Sequence, residues 1–526
     1  MRRVLLFMKK LTKDKLFLSL TLLLFAVAVF LRVYRFGEVP TGINQDGAMA
    51  AVDAKALEGY GTDRLGMRYP VHLTAWGFGQ MSALLSYLMI PFIKIFGLTV
   101  TAIRLPSLLT SLGGLVFLFL LSKDGLGRSR ALAVLLVCAL CPWHIMQSRW
   151  ALDCNLFPHF LMAGMFFLLK GTEKKRNLYI SMVFFGLSMY CYGVALYTVP
   201  VFLVAACIYL LCRKLIRFRD ALLCMLVYLL VSWPFFVCML INYLGFESIE
   251  TPLFTIPYFP GSVRSKDILF FCDEPLKQLG KNFDALWSIL KQEYNGLPWN
   301  EVAGYGTLYK LSIPFLLLGV GSMAWNFKKN TASALLWLMF LTGVLNGLLT
   351  SNVNINRTNL IFYPMLAFTG EGLYLPCRWL WKKRAVLGGV LAGLLAALYL
   401  IYAGMFAGEY FTSYADKISE YFMADFMEAV TAVKDADTNR FYITPDAQYE
   451  SYAHVSEALT LFYHDVDAHF YQSAQFRDKY RFENPDRFLE DEAVYVTTEK
   501  YLPLFERAGF TLTQYGRFYT AQKKYF

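Results

Sequence analysis

From residue 16 to about residue 406 the chain consists of long apolar stretches separated by short polar interruptions, and beyond Gly408 that pattern stops. Leu16 to Leu31 is continuously apolar and follows Arg2, Arg3, Lys9, Lys10, Lys13 and Lys15. It reads as a first spanning helix with snorkelling flanks and a cytoplasmic N-terminus. Ala26-Val27-Ala28 looks like a signal-peptidase site, but the apolar run continues to Leu31, so the helix is read as uncleaved. Residues 35–80 then form a long first outer loop. Within it, Ala48 to Gly59 carries Met49, Val52, Ala56 and Leu57 on one helical face and Asp53, Lys55 and Glu58 away from it, the pattern of an interfacial helix.

Met81 to Phe96 decides the side of every later loop. The clusters Lys123/Arg128/Arg130, Lys174/Lys175/Arg176, Arg213/Lys214/Arg217/Arg219, Lys328/Lys329 and Arg378/Lys382/Lys383/Arg384 all face the cytoplasm only if this stretch, broken by Pro91 and Lys94, does not cross. Crossings then fall at 100–121, 131–147, 156–170, 178–192, 195–212, 221–242, 307–326, 333–350, 358–376 and 385–406. With the first helix that makes about eleven spans, with the C-terminus outside. Residues 178–212 must form two short helices broken near Gly193. The outer loops are 35–80, 148–156, 243–305, with a helical patch at Pro275 to Gln292, and 350–357. After residue 406 charge density rises. Strand-like Phe441 to Thr444, Ala493 to Thr497 and Phe510 to Thr520 alternate with helix-like Ser419 to Lys434, Ser451 to Tyr463 and Glu499 to Arg507. The expected architecture is a polytopic α-helical membrane domain over 1–406 and a small extracytoplasmic α/β domain over 407–526.

Composition agrees with that pattern. A hydrophobic content of 57% and a mean hydropathy of +0.42 give more apolar surface than one soluble core can hide. The net charge of +11 sits in the clusters between apolar stretches, so it reports topology, and no basic-aromatic platform for nucleic acid is present. Most of the ten cysteines lie in apolar segments, where Cys acts as a small hydrophobe. Cys138 and Cys141 have CxxC spacing but fall on a membrane helix, and Cys154 and Cys272, both placed outside, could pair.

The candidate chemistry collects on the outer face. Asp46, in Ile43-Asn44-Gln45-Asp46-Gly47, stands at the start of the first-loop helix, where backbone N–H groups favour a carboxylate; it is either a helix cap or a general base. Asp153, in Arg149-Trp150-Ala151-Leu152-Asp153-Cys154-Asn155, either pairs with Arg149 or orients Asp46. His144 and His159 flank this loop, so a divalent metal held by two Asp and two His is conceivable, although the spacing matches no tight motif. Arg357 heads the tenth helix as a phosphate clamp or a headgroup anchor. Arg149 and Lys55 join it as candidate substrate contacts, with Arg264, Arg64 and Arg68 as further outer cations. Trp299-Asn300 and Tyr305 could line a sugar site.

Together these residues resemble the GT-C superfamily of membrane glycosyltransferases, in its protein O-mannosyltransferase and aminoarabinose-transferase branch. The resemblance rests on the outer-loop Asp after the first helix and on Phe96-Gly97 followed by Arg104-Leu105-Pro106-Ser107. The series Pro142, Arg149, Asp153, Asn155 and the late Arg complete it. It implies that the first-loop Asp is the base, that the donor is a polyprenyl-phosphate sugar, and that the acceptor is a glycan, lipid or protein at the outer surface. The chain departs from the family at Asp46-Gly47, where many members have Asp-Glu. A lipid-sugar flippase is the competing expectation, and a glycan polymerase or ligase a third. If Met81 to Phe96 does not cross, cysteines introduced at Gly125 and Lys175 are labelled only after the cytoplasmic side is opened; labelling in intact cells overturns the loop assignment.

Overall fold

The computed structural model describes residues 2–76, 79–260, 269, 272–294, 296–448, 453–486 and 488–523, with backbone alone over 2–13. Every apolar stretch forms helix. The first loop lies between α1 (Arg2–Val33) and α4 (Val100–Gly125) and contains α2 (Gln45–Tyr60), the hairpin β1 (His72–Ala75) and β2 (Gly79–Ser82), and α3 (Leu84–Phe96). There follow α5 (Arg128–Leu140), α6 (Pro142–Gln147), α7 (Asp153–Gly171), α8 (Arg176–Ser188), α9 (Ala195–Cys212) and α10 (Phe218–Leu244). A second excursion holds the short pair β3 (Ile249–Glu250) and β4 (Thr255–Ile256) and then α11 (Pro275–Leu290). The helical part closes with α12 (Ile313–Trp325), α13 (Thr331–Leu349), α14 (Phe362–Lys383) and α15 (Ala385–Tyr410).

Among the described residues, six helices are long and apolar enough to cross a membrane: α1 from Asp14, α4, α9, α10, α13 and α15. The chain is a membrane protein. The stretch expected as one helix over 131–147 is divided into α5 and α6, because Pro142 forces Cys141 into extended backbone at φ −70°, ψ 124°. Between Met189 and Val194 the chain turns as expected, separating α8 from α9. The 13 residues of α3 reach only about 20 Å, short of a hydrocarbon core of about 30 Å.

Cross-links between turns define two ends of the bundle. At the basic end Lys170 pairs with Asp124 at 3.4 Å, Lys175 with Asp220 at 2.7 Å, and Asn330 donates to the Gly125 carbonyl at 2.7 Å. Glu371, buried in α14, is paired with Arg130 there and accepts from Ser322 at 2.9 Å. The other end carries the first loop, and three buried arginines fasten it. Arg149 donates to the carbonyls of Arg32 (2.8 Å), Arg35 (2.9 Å) and Val39 (3.2 Å), the first of them an acceptor that the end of α1 leaves open. Arg104 donates to Gly37 (3.1 Å) and Gly42 (2.6 Å), and Arg32 to Ala28 (2.8 Å), Ala139 (3.0 Å) and Cys138 (3.0 Å).

The C-terminal unit begins after α15, whose last turn runs past residue 407. It comprises α16 (Ser413–Ser419), α17 (Ala424–Ala432), β5 (Arg440–Ile443), α18 (Ala453–Tyr463), α19 (Ala468–Gln472), α20 (Ala474–Lys479), β6 (Tyr480–Arg481), β7 (Ala493–Thr498), α21 (Leu502–Arg507), β8 (Thr511–Tyr515) and β9 (Phe518–Gln522). The sheet order is β6-β5-β7-β9-β8, with β5 parallel to β6 and β7, and β9 antiparallel to β7 and β8. Strand β7 is covered on both faces. Val494 and Val496 join the main core beside α17, while Ala493 and Tyr495 pack with Phe505 and Phe510 near α21. The single strand expected over 510–520 is instead a hairpin turning at Gly516, in the left-handed region at φ +56°.

This domain sits on the first loop and corrects the expectation for α2. That helix is buried from Gly47 through Ala54 and again at Ala56 and Leu57, with α3 and α18 packed against it. Asp53, expected on a polar face, is fully buried. Its carboxylate accepts from the Arg64 guanidinium at 2.7 Å, and Arg64 lies 3.2 Å over the Trp76 ring. Trp76 donates to Glu457 at 3.3 Å, Gln472 donates to the Arg64 carbonyl at 3.1 Å, and the Tyr60 hydroxyl bonds Asp467. Asp63 accepts from the N–H groups of Leu65 and Met67, both at 2.9 Å, and burial, then the charge of Asp53, pushes its carboxyl up to about 7. The unfolded chain ionises this group near 4, so the folded state holds the proton more tightly between those values. Stability therefore declines as pH rises from about 4 to about 7 and stays lower above. Asp63→Asn keeps an acceptor for both N–H groups and is expected to flatten that decline, raising Tm at pH 8 but not at pH 4; an unchanged pH slope in purified protein refutes it.

Candidate active site

Asp46 lies in the first turn of α2, with Asn44 rather than Asp46 at the cap position. Gly42 and Gly47 let the chain approach so closely here. A Cβ on Gly42, at φ +83°, would stand 2.1 Å from the Phe422 carbonyl oxygen, and one on Gly47 3.0 Å from that of Ala151. The Gly at position 47 thus follows from packing: the start of α2 presses on the loop that leads to Asp153. Asp153 begins α7, where its Oδ1 accepts from the Cys154 N–H at 2.7 Å. The contact of Gly47 with the Ala151 carbonyl brings the first turn of α2, which carries Asp46, against the loop that ends at Asp153. Asn155 braces this loop by donating to the Gln147 carbonyl at 3.2 Å, and Asn359 does so by donating to that of Cys154 at 2.7 Å.

A cavity of about 220 Å³ opens at Asp46. Asn44, Gln45, Trp150, Leu152, Trp299 and Asn356 line it from the helical part, and Glu420, Tyr421, Phe422, Met423, Gln448 and Arg517 from the C-terminal domain. Trp150 meets Phe422 at 5.4 Å between ring centroids, and Trp299 meets Tyr421 at 5.9 Å. Arg517 holds Asp425 at 2.7 Å and Glu420 at 3.3 Å. Aromatic rings in edge and tilted contact, beside amides and carboxylates, make a wall suited to a hydroxylated ring.

The structure sorts the sequence candidates. Asp46 and Trp299 line the cavity, and Asp153 lies beside it. Arg357 is one residue beyond the lining Asn356 and is half-buried, with its Nη1 donating to the Ser351 carbonyl at 2.6 Å. Buried Asn300 follows Trp299, and neither of its side-chain polar atoms has a hydrogen-bond partner among the described residues. Tyr305 packs instead on Phe406 at 5.6 Å, Lys55 pairs with Glu58 at 3.8 Å, and Arg149 holds the carbonyls described above. Arg264 lies outside the described residues.

His144 and His159 belong to a buried relay. Arg32 donates to His144 Nδ1 at 2.9 Å, His144 Nε2 meets the Tyr363 hydroxyl at 3.0 Å, and that hydroxyl meets His159 Nδ1 at 2.7 Å. An arginine can only donate, so His144 donates through Nε2 and Tyr363 passes its proton bond to His159. Three of the four imidazole nitrogens are occupied, which does not fit a metal-ligand role for this pair. Among the described residues no group of three or more His, Cys, Asp or Glu is placed to hold a metal ion. All ten cysteines, Cys154 and Cys272 included, are free thiols.

Sequence reading missed the whole wall supplied by the C-terminal domain: Glu420, Tyr421, Phe422, Met423, Gln448 and Arg517. Only the Gly516-Arg517 turn between two strand-like halves carried a local signal.

With this geometry in hand, comparison with known proteins gives the fold. The architecture is the GT-C fold of membrane glycosyltransferases, which the residue pattern resembles. Residues 81–238 match the family model described as dolichyl-phosphate-mannose-protein mannosyltransferase. The chain superposes on ArnT from Cupriavidus metallidurans in the apo state with a TM-score of 0.57 at 12% identity, covering 98% of each chain. On the same ArnT bound to undecaprenyl phosphate the TM-score is 0.55 at 12% identity, over 97% of this chain and 98% of that one. On the archaeal oligosaccharyltransferase AglB from Archaeoglobus fulgidus, in complex with an inhibitory peptide and a dolichol-phosphate, it is 0.53 at 13% identity, over 85% and 64%. No curated protein matches the sequence.

Because the start of α2 touches the Ala151 carbonyl, Gly47→Ala is expected to cost about 1–3 kcal/mol by overpacking. The measurement is thermal unfolding in detergent, and an unchanged Tm shows that the helix start gives way freely.

Proposed function

We propose that the protein is a membrane glycosyltransferase that moves a sugar from a polyprenyl-phosphate donor to an acceptor hydroxyl at the extracytoplasmic surface, with Asp46 as general base. The observation that carries this reading is the placement of Asp46 in a cavity walled by rings and amides, at the end of the bundle opposite the basic clusters. Positive clusters favour the cytoplasmic side, so the Asp46 end and the C-terminal domain face outward. The matched family model and the lipid phosphates bound by ArnT and AglB support a lipid-linked donor.

The chemistry asks for three things of the chain. Asp46 accepts the proton of the acceptor hydroxyl as its oxygen bonds to the anomeric carbon. The bond from that carbon to the phosphate oxygen breaks, and its electron pair leaves with the lipid phosphate. Arg357, next to Asn356 on the cavity wall, offers a planar guanidinium to that departing charge, and Asp153 orients the base from the start of α7. Lys55, Arg149 and Tyr305 do not line this cavity, and no step is assigned to them.

Purified protein is assayed with a panel of radiolabelled polyprenyl-phosphate sugars, scoring release of free lipid phosphate. Asp46→Asn is expected to lower turnover about 10²-fold or more, because an amide accepts no proton at neutral pH, while donor binding persists. Arg357→Ala is expected to raise the donor KM, with partial rescue by Lys. Near-normal turnover by Asp46→Asn removes the base assignment, whereas wild-type protein that binds the donors and releases no lipid phosphate favours a flippase that moves the lipid-linked sugar without transfer.

A further inference from the structure

The segment that carries Asn356 and Arg357 hangs from one buried side chain. Asn346 stands in the last turn of α13, and its amide meets three groups. Its Nδ2 donates to the Arg357 carbonyl, which can only accept. Its Oδ1 is therefore turned to two hydroxyls, that of Tyr197 in α9 and that of Thr350, the latter at 3.1 Å. The segment beyond Thr350 is wound tightly. Asn354 Oδ1 accepts from the Arg357 N–H at 3.0 Å, and the Asn354 carbonyl accepts from the Thr358 N–H at 3.0 Å and from its hydroxyl at 2.8 Å. Arg357 Nη1 reaches back to the Ser351 carbonyl at 2.6 Å. The segment also lies directly on α13, where a Cβ on Gly347 would stand 3.2 Å from Thr358 Cγ2. Arg357 is thus gripped at its N–H, at its carbonyl and at one arm of its guanidinium. Two residues on, Asn359 ties the same segment to the Cys154 carbonyl at 2.7 Å, beside Asp153.

We propose, building on the glycosyltransferase reading, that Asn346 is a positioning residue for the donor phosphate, with Tyr197 orienting its amide. The carbonyl that Asn346 holds is bonded to the Cα from which the Arg357 guanidinium extends, so a shift of one is a shift of the other. The segment is tied to α13 and α9 on one side and to the start of α7 on the other. Arg357 therefore meets the departing phosphate from a place already set relative to Asp153. Asn346 touches no substrate in this scheme and acts through Arg357. A carboxylate at its position could not donate to the carbonyl, and an aliphatic side chain could meet none of the three groups.

The test is a double-mutant cycle on the full chain in lipid nanodiscs. It reads equilibrium binding of radiolabelled polyprenyl phosphate, the leaving group of the proposed donor, together with KM and kcat for the polyprenyl-phosphate sugar that the protein turns over. Asn346→Ala is expected to weaken binding about threefold to tenfold, the scale of one hydrogen bond, with the loss falling on KM rather than kcat. Added to Arg357→Ala, it is expected to cost less than about twofold more, because the group it positions is already gone. Tyr197→Phe keeps the ring and removes the hydroxyl, so it is expected to show the same pattern at smaller size, and it carries the cycle if Asn346→Ala does not fold. Losses that multiply in the double variant, or wild-type binding by both Asn346→Ala and Tyr197→Phe, overturn the positioning role and leave the glycosyltransferase reading intact. Wild-type binding by Arg357→Ala overturns the phosphate clamp and the positioning role together. Wild-type protein that neither binds polyprenyl phosphate nor turns over a donor overturns the glycosyltransferase reading itself, and this proposal with it.

Discussion

The protein depends on the pairing of buried guanidinium groups with backbone carbonyls. Arg32, Arg104 and Arg149 are all within the core, and between them they take carbonyls from residues 28 to 42 and from the end of α5. A buried guanidinium with an unmet donor is expensive, as is a helix end with unmet acceptors, and the contacts to Arg32 at the end of α1 and to Cys138 and Ala139 at the end of α5 relieve both at once. The geometry is also exacting, because a planar fork fits only carbonyls set at fixed spacing. The chain leaving α1 is consequently locked into one path toward the start of α2, and Asp46 stands at the end of that path.

Packing then fixes the remaining side of the site. Gly42 and Gly47 bring backbone against backbone at two points where a methyl group would collide, so the cavity owes its shape to main chain more than to adaptable side chains. Gly114 plays the same part deeper in the bundle, where a Cβ would fall 2.1 Å from the Tyr363 hydroxyl and break the relay through His144 and His159. That relay joins α1, α6, α7 and α14 through polar groups whose donors and acceptors are matched in order.

How far the sequence reveals this varies with the kind of signal. The long apolar stretches give nearly every helix, because an apolar run of that length has few other places to go. Asp46 is visible because it follows the first span and begins a periodic run. The face of Asp53 is misread because periodicity reports the first buried stripe of a helix and not the second, which α18 creates from about four hundred residues away. Arg149 reads as a ligand contact because its true partners are carbonyls, which every residue possesses and no residue type announces. Glu420 and Arg517 are invisible for a related reason: charges in a soluble-looking domain have the pattern of a solvated face, and only tertiary structure turns that face toward Asp46.

Because the cavity takes one wall from the first loop and the other from the turn between β8 and β9 and the segment before α17, the site has a history as well as a shape. At about 5–20 residues per second, translation reaches Arg517 on the order of half a minute to a minute and a half after Asp46. For that interval α2 has no α18 to cover it, and the Asp53, Arg64 and Trp76 cluster lacks Glu457 and Gln472. The nascent protein thus carries an apolar helix and a half-solvated ion pair at the bilayer edge before it possesses a pocket. The pocket itself is complete only when the final sheet docks.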